Sequence, residues 1–377
     1  MNYDYLVAGG GAAGLSFVYH LLEAGGTATV LLLDRERKTC NDRTWSFWEA
    51  GAGPFEDRLY ARWDHLWFHS DTFSKRLTIA PYAYKTLRGI DFYDAVNARI
   101  DAAPNVTRVY GEVEDLRSTA DGVLARVGDT TYAARYAFSS IPPAPLDRDR
   151  ANYLDQHFKG WIIETDTDAF DVDTATLMDF RLPQCGETRF VYVLPFGPRR
   201  AMLEFTVFGK TLLAPAAYDA HLRDYIARFV TRDSYRVESE ELGVIPMTDQ
   251  PLPRENGRIY YLGTAGGSVK ASTGYAFQRI QATTKTLAAH LVRTGSPVGV
   301  RWPGSARYRL FDSTLLNVLV HHRLSADYVF TELFRNNPPA RLLRFLGEES
   351  SPLEDLRIMA SVPTGPFLRA FVAEAVG

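Results

Sequence analysis

An unbroken apolar run, Tyr5 to Ala8, opens the chain and stops at Gly9, Gly10, Gly11 and Gly14. The spacing then turns helical, with Leu15, Val18, Leu21 and Leu22 on one face. A second apolar run, Thr29 to Leu33, ends in Asp34. Strand, turn, helix and strand in that order predict the start of a parallel sheet. A related unit returns late in the chain. Ile259 to Leu262 is a short apolar strand, Gly263-Thr264-Ala265-Gly266-Gly267 a turn, and Thr273-Gly274-Tyr275 the head of another helix.

Between these units the period falls to two. Apolar runs at Trp161–Ile163, Thr174–Met178 and Phe190–Phe196, joined by short loops such as "GPRR", predict an antiparallel sheet. Along "RRAMLEFTVF", alternation places Ala201, Leu203, Phe205 and Val207 on one face, which should pack on a core. Arg200, Met202, Glu204, Thr206 and Phe208 share the other face, a mixture that suits a wet surface or a cavity wall. Spacing alone leaves Glu204 open between a solvent-facing residue and an acid kept in an apolar pocket. Past residue 300 the pattern is helical again, with Leu315, Leu316, Leu319 and Val320, then Leu342, Leu343, Phe345 and Leu346.

Composition adds bounds to this picture. The 377 residues are 46% hydrophobic with a net charge of −3, enough for a large folded core and without the basic field that nucleic acid requires. Two cysteines, Cys40 and Cys185, make no disulfide framework and fit no zinc spacing. The eight histidines are scattered and the pair at 321–322 has no ligand partners, so no metal site is expected. The first residues enter a strand directly, with no signal-peptide pattern, and the apolar window from Leu6 to Ala24 is broken by glycines. A cytoplasmic protein that does not cross a membrane is expected.

Gly9-x-Gly11-x-x-Gly14 between a strand and a helix is a dinucleotide motif with a physical basis. Gly9 permits the turn, Gly11 lets a pyrophosphate approach the backbone, Ala13 lies within the motif, and Gly14 allows close helix–strand packing. The phosphates sit at the positive end of the helix. Asp34, 20 residues past Gly14, can accept hydrogen bonds from the adenosine ribose, which favours FAD or NAD over NADP. The late strand–glycine–helix unit is the layout of FAD proteins of the glutathione-reductase type, with Gly263, Thr264 and Gly274 at the ribityl and isoalloxazine end. Gly263-Thr264 stands where many such proteins carry Gly-Asp.

Several blocks, in order, resemble the lycopene cyclases. "NDRTWSFW" (41–48) is similar to that family's Arg-Thr-Trp segment, "LMDFR" (177–181) to its Met-Asp segment, and "RFVYVLPF" (189–196) to its strand ending in Leu-Pro. "MLEFT" (202–206) resembles its Leu-Glu-Glu-Thr or Ile-Glu-Asp-Thr motif, with Phe205 in place of the second acid. "STGYAF" and "LEDLRIMASVP" resemble its Thr-Gly-Tyr segment and its C-terminal helical segment.

The resemblance implies an α/β fold: an FAD-binding Rossmann-like domain of residues 1–155 and 240–300, an inserted antiparallel substrate sheet at 156–239, and a helical region at 301–377. It implies lycopene β-cyclase activity, of bacterial type, on lycopene and related linear carotenes. An acid protonates the terminal double bond, the next double bond attacks the cation, and proton loss leaves a β-ring. No electrons are exchanged overall, yet the family needs reduced FAD, for which NAD(P)H is the expected reductant. A negative charge roughly 4 Å from a carbocation contributes on the order of 4 kcal/mol at an effective dielectric near 20.

Glu204 is the implied acid, because burial in an apolar cavity keeps a carboxyl protonated near neutral pH. Asp179 is the implied second carboxylate, Arg43 a charge partner of the cofactor, and Trp45, Phe47, Met202, Thr206 and Tyr275 are implied substrate contacts. Because lycopene resides in the bilayer, peripheral contact with the inner face of the membrane is expected. "ARLLRFLG" has the interleaved arginines of an interfacial helix and equally those of a bundle-core helix. Two other flavin activities share the glycine units: a monooxygenase or hydroxylase on an apolar substrate, and a geranylgeranyl-type reductase.

Overall fold

The computed structural model describes residues 2–149 and 151–376. β1 (Asn2–Ala8), α1 (Ala12–Glu23) and β2 (Val30–Asp34) realise the opening pattern. β3 (Thr44–Ala50), β4 (Ala61–Trp63), β5 (His65–Ser70), β6 (Phe73–Thr78) and β7 (Tyr82–Arg88) follow, then α2 (Gly89–Asp101). Next come β8 (Val106–Tyr110), β9 (Val113–Ser118), β10 (Val123–Val127) and β11 (Thr130–Ser139). β1 pairs in parallel with β2 and β11, and β2 with β8. Leu6 and Val7 are fully buried, as in any strand covered on both faces.

β12 (Tyr153–Thr165), β13 (Thr174–Asp179), β14 (Thr188–Gly197), β15 (Arg200–Gly209), α3 (Pro215–Phe229) and β16 (Tyr235–Thr248) form the middle of the chain. They build a seven-stranded sheet in the order β16-β12-β15-β14-β13-β5-β6. The antiparallel pairing expected from sequence runs from β16 to β13. β5 then joins β13 in parallel, bringing in strands from about 100 residues earlier, a pairing that no local pattern announces. The apolar face of β15 (Ala201, Leu203, Phe205, Val207) packs under α3 against Tyr218, Leu222, Tyr225 and Ile226. Full burial of a large apolar side chain on such a face is worth roughly 1.5–3 kcal/mol, so this alternation fixes which way Glu204 points.

β17 (Glu255–Asn256) and β18 (Ile259–Tyr261) return to the first sheet, β18 lying parallel to β11. α4 (Phe277–Thr294) then packs on α1. Gln281 Nε2 donates to Ser16 Oγ at 2.8 Å, and Gln281 Oε1 lies 2.9 Å from His20 Nε2. α5 (Ala306–Val320), α6 (Ala326–Asn336), α7 (Pro339–Leu346), α8 (Pro352–Met359) and α9 (Thr364–Val376) complete the chain. In α7, Leu342 and Leu343 are buried in the core that these helices share with the seven-stranded sheet, and Arg344 bonds to Glu354. "ARLLRFLG" is therefore a core helix rather than an interfacial one. Among the described residues no helix is long and apolar enough to cross a membrane.

Candidate active site

A cavity of about 730 Å³ runs from the first glycine turn to the seven-stranded sheet. Gly9, Gly10, Gly11 and Ala13 line it, with Asp34 at the end of β2, and Arg43 is also on its wall. Gly11 is the N-cap of α1 and supplies no side-chain cap, which leaves the first N–H groups of the helix available to an anion. A Cβ at Gly11 would meet nothing within 4 Å, whereas one at Gly10 would sit 2.3 Å from Asp34 Oδ2. Gly14 lies outside the cavity wall; a Cβ there would fall 2.0 Å from the Gly9 carbonyl oxygen. Gly263, Thr264 and Gly274 line the cavity further in. Gly274 has φ +74°, and a Cβ there would collide with Gln156 Oε1.

Three buried polar atoms on this wall have no well-formed partner: Gln156 Oε1, Thr273 Oγ1 and the Tyr275 hydroxyl. Buried polar groups are nearly always satisfied, so their convergence marks a place for a ligand with hydrogen-bonding edges. The open backbone at Gly11, the acid at the end of β2 and these orphaned atoms fit an extended dinucleotide.

At the far end, Glu204 faces the cavity beside Met202, Leu194, Tyr84, Tyr192 and Tyr275. Strand register sets this grouping. Glu204 on β15 lies opposite Tyr192 on β14 and opposite Gly160 on β12, and directly paired residues share a face. Its Oε1 accepts a hydrogen bond from Thr206 Oγ1 at 2.9 Å, and among the described residues no ion pair compensates it. Part of its surface is accessible through the cavity, and the remainder of the side chain is enclosed by protein. Burial, and next the charge of Glu241, outweigh the Thr206 bond and push it up to about 8. It is a carboxylic acid at neutral pH, in an apolar wall. Tyr84, Tyr192 and Tyr275 lie close enough to interact electrostatically with it, which adds polarisable aromatic surface at the same spot.

The sheet carrying Tyr84 is anchored from behind. Lys85, 1% exposed, donates to Glu49 at 2.9 Å, to Glu56 at 2.5 Å and to the Gly51 carbonyl at 2.6 Å. Trp45 lines the cavity, but Phe47 does not; it is buried behind it, stacked on Phe277 at 4.9 Å. Thr206 touches Glu204 without appearing on the wall.

Asp179 is not brought to Glu204. A bulge in β13 pairs Thr176 with Val193 and Asp179 with Val191, so the strand gains a residue and Asp179 turns toward α3. There it is fully buried, accepting from Arg181 Nε at 2.9 Å and Nη2 at 2.5 Å and from the Tyr225 hydroxyl at 2.7 Å. Burial alone would raise this carboxyl; the Arg181 and Tyr225 bonds outweigh it and hold it below its ordinary value. It is an ionised strut on the opposite face of the sheet.

Sequence reasoning missed Tyr84, Tyr192, Gln156 and Ser140, which all line the cavity. Gln156 had no clear signal, since it stands in a polar run between Asp155 and His157. The tyrosines had none, since only cross-strand register puts them beside Glu204.

Comparison with known proteins defines first the class. The layered fold is shared with a geranylgeranyl bacteriochlorophyll reductase-like protein from Thermoplasma acidophilum (TM-score 0.62, 12% identity, 98% of each chain covered). It is shared equally with the flavin-dependent monooxygenase PieE in complex with FAD and substrate (TM-score 0.61, 15% identity, 99% of this chain and 72% of that one). The fold is thus the FAD-binding Rossmann-like one with a helical C-terminus.

Within that class the chain belongs to the lycopene cyclase family, whose model, described as Lycopene cyclase protein, matches residues 4–372. A neoxanthin synthase, chloroplastic, from Solanum tuberosum is 27% identical over 314 residues, which are 78% of this chain and 61% of that protein. The chain therefore spans under two thirds of that relative's length. A lycopene beta-cyclase from Pantoea ananas is 21% identical over 402 residues, covering 99% of this chain and 98% of that one.

Proposed function

We propose that this protein is a lycopene β-cyclase, converting the linear ends of lycopene to β-rings by way of γ-carotene to β-carotene, without net redox change. One observation carries the reading: Glu204, a neutral carboxyl with no ion-pair partner among the described residues, stands at the apolar and aromatic end of a cavity whose other, polar end is a dinucleotide turn. Family membership supports the carotenoid substrate, and the full-length match to a lycopene beta-cyclase supports the reaction.

The cofactor we propose is FAD, active when reduced, with NAD(P)H as its source of electrons. Gly9, Gly11, Ala13, Asp34 and Arg43 would hold its adenosine and phosphates, with Gly14 closing the turn behind them, and Gly263, Thr264 and Gly274 would hold the remainder. When bound it supplies negative charge near a developing cation. The chain's own residues do the rest. Glu204 Oε holds the proton that goes to the terminal alkene carbon; Thr206 orients that carboxyl. Met202, Leu194 and Tyr275 exclude water from the polyene end, and the tyrosine faces receive the cation. Trp45 contacts the substrate or the cofactor edge, with Phe47 packed behind it. Asp179 has a structural role in this account.

The assay is anaerobic incubation of protein, lycopene and chemically reduced FAD, followed by mass and absorption analysis. Constant mass with a shortened chromophore is the expected result. Consumption of NAD(P)H and oxygen in step with product would identify a monooxygenase, a gain of hydrogen a geranylgeranyl-type reductase, and either would reject the proposal. We further propose a peripheral lipid contact, as the substrate's solubility requires. The exposed apolar side chains Leu353, Leu356, Leu368 and Val372 on α8 and α9 support it better than α7 does.

A further inference from the structure

The segment Arg236–Glu241 has the composition of a solvated edge, and its residues Glu238, Ser239 and Glu240 are exposed. Glu241 is different. On β16 it pairs with Gly160 of β12, and Gly160 pairs on its other side with Glu204 of β15. Directly paired residues project from the same face, so the two acids flank Gly160 in one row across three strands. The middle member has no side chain. A Cβ at 160 would lie 3.7 Å from Glu204 Cβ and Cγ, so the glycine leaves the space over the row open between the two carboxyls.

Their surroundings are unequal. Glu241 Oε1 accepts from the Thr44 amide at 3.1 Å, and Arg43 is the cation within its reach, with Asp42 opposing it. Glu204 has the Thr206 hydroxyl, the phenols of Tyr84, Tyr192 and Tyr275 within electrostatic range and, among the described residues, no cation partner. A backbone N–H and a guanidinium favour an anion more than a hydroxyl does. The Glu241 surroundings therefore favour the charged carboxylate more than those of Glu204 do, and charge on Glu241 disfavours charge on Glu204.

We propose that Glu241 is the positioning residue of this site, its carboxylate fixed on β3 and confining the transferable proton to Glu204. The inference rests on Glu204 being the acid of the proposed cyclisation. Burial raises both carboxyls, and the charge on Glu241 adds to the rise at Glu204.

The test uses flavin-loaded protein without substrate. The infrared carbonyl band of a protonated carboxyl is assigned to Glu204 by its loss in Glu204→Gln and then titrated. In the parent the midpoint is expected at about 8. In Glu241→Gln, which keeps an acceptor for the Thr44 amide, it should fall by about one pH unit, the effect of a unit charge about two strand spacings away at an effective dielectric near 20. Glu241→Asp, which retains the charge, should restore most of the shift. The alkaline limb of the turnover profile should move with it. An unmoved or raised midpoint in Glu241→Gln overturns the inference. Parent-like turnover in Glu204→Gln would instead overturn the underlying reading, with the infrared result standing by itself.

Discussion

Gly160 and Glu204 face each other across β12 and β15, and the absence of a side chain at 160 leaves the surface beside the acid open. A Cβ there would meet the flexible Met202 Cε at 2.7 Å but Glu204 only at 3.7 Å. Gly160→Ala should therefore be absorbed by Met202. Gly160→Val, whose branches enter the row itself, should lower turnover by at least about tenfold through misplacement of the acid. Thermal melts of both variants alongside turnover check that the loss is catalytic.

Glu204→Gln removes the proton but keeps the shape. Turnover should fall by about 10²- to 10⁴-fold, the usual worth of general acid catalysis. In the parent, activity should decline as pH rises through about 8, where Glu204 ionises.

The same carboxyl has a stability signature. Its folded value lies above its ordinary one, so the unfolded chain releases the proton first as pH rises. Stability is fully present below the ordinary carboxylate range and is lost progressively up to about 8. The Gln variant lacks this dependence, so its melting temperature should exceed the parent's by more at pH 8 than at pH 5. Equal differences at both values would contradict the burial argument.

Asp179 should behave in the opposite way. Asp179→Asn removes the fully buried charge that Arg181 and Tyr225 hold and leaves the partly exposed Arg181 guanidinium without its anion, at a cost of about 1–3 kcal/mol. Its depressed value means the contribution is present above the ordinary carboxylate range and lost as pH falls through the folded value. Urea titration at neutral and acid pH measures this. Turnover per folded molecule should stay near the parent's, and a large specific loss would return Asp179 to the chemistry.

Gly11→Val tests the cofactor end. The added side chain points into open cavity rather than into protein, so the fold should survive while the path of the phosphates is blocked. Flavin content of the purified protein, read against an unchanged far-ultraviolet dichroism spectrum, is the measurement; full flavin occupancy would remove Gly11 from the cradle.

Leu356→Glu with Leu368→Glu alters side chains that are 63% and 56% exposed, so little core is lost. Liposome flotation should fall by about tenfold or more if each apolar side chain contributes about a kcal/mol to insertion. Flotation equal to the parent's would place the lipid contact elsewhere.

The legible parts of this molecule are those whose cause is local. Gly9 to Asp34 announce a turn, a helix and a second strand within one stretch of chain, because each step is set by neighbouring residues. The alternation through Ala201–Phe208 correctly separates the α3 face from the cavity face. What stayed hidden depends on register. Asp179 looks like a partner of Glu204 until a bulge turns it to the other side. Glu241 stands in a charged run, and only pairing through Gly160 reveals that it belongs to the same row as Glu204. β5 enters the sheet through a parallel pairing that no periodicity encodes.

Ser16, His20 and Gln281 lace α1 to α4 across more than 260 positions of chain. During synthesis, the glycine turn at residues 9–14 emerges early yet lacks its companion helix until residues near 290 have left the ribosome. If the cradle holds FAD as proposed, its capture is then a late event in the life of the nascent chain, because the two glycine units of the cavity come together only once α4 has been made.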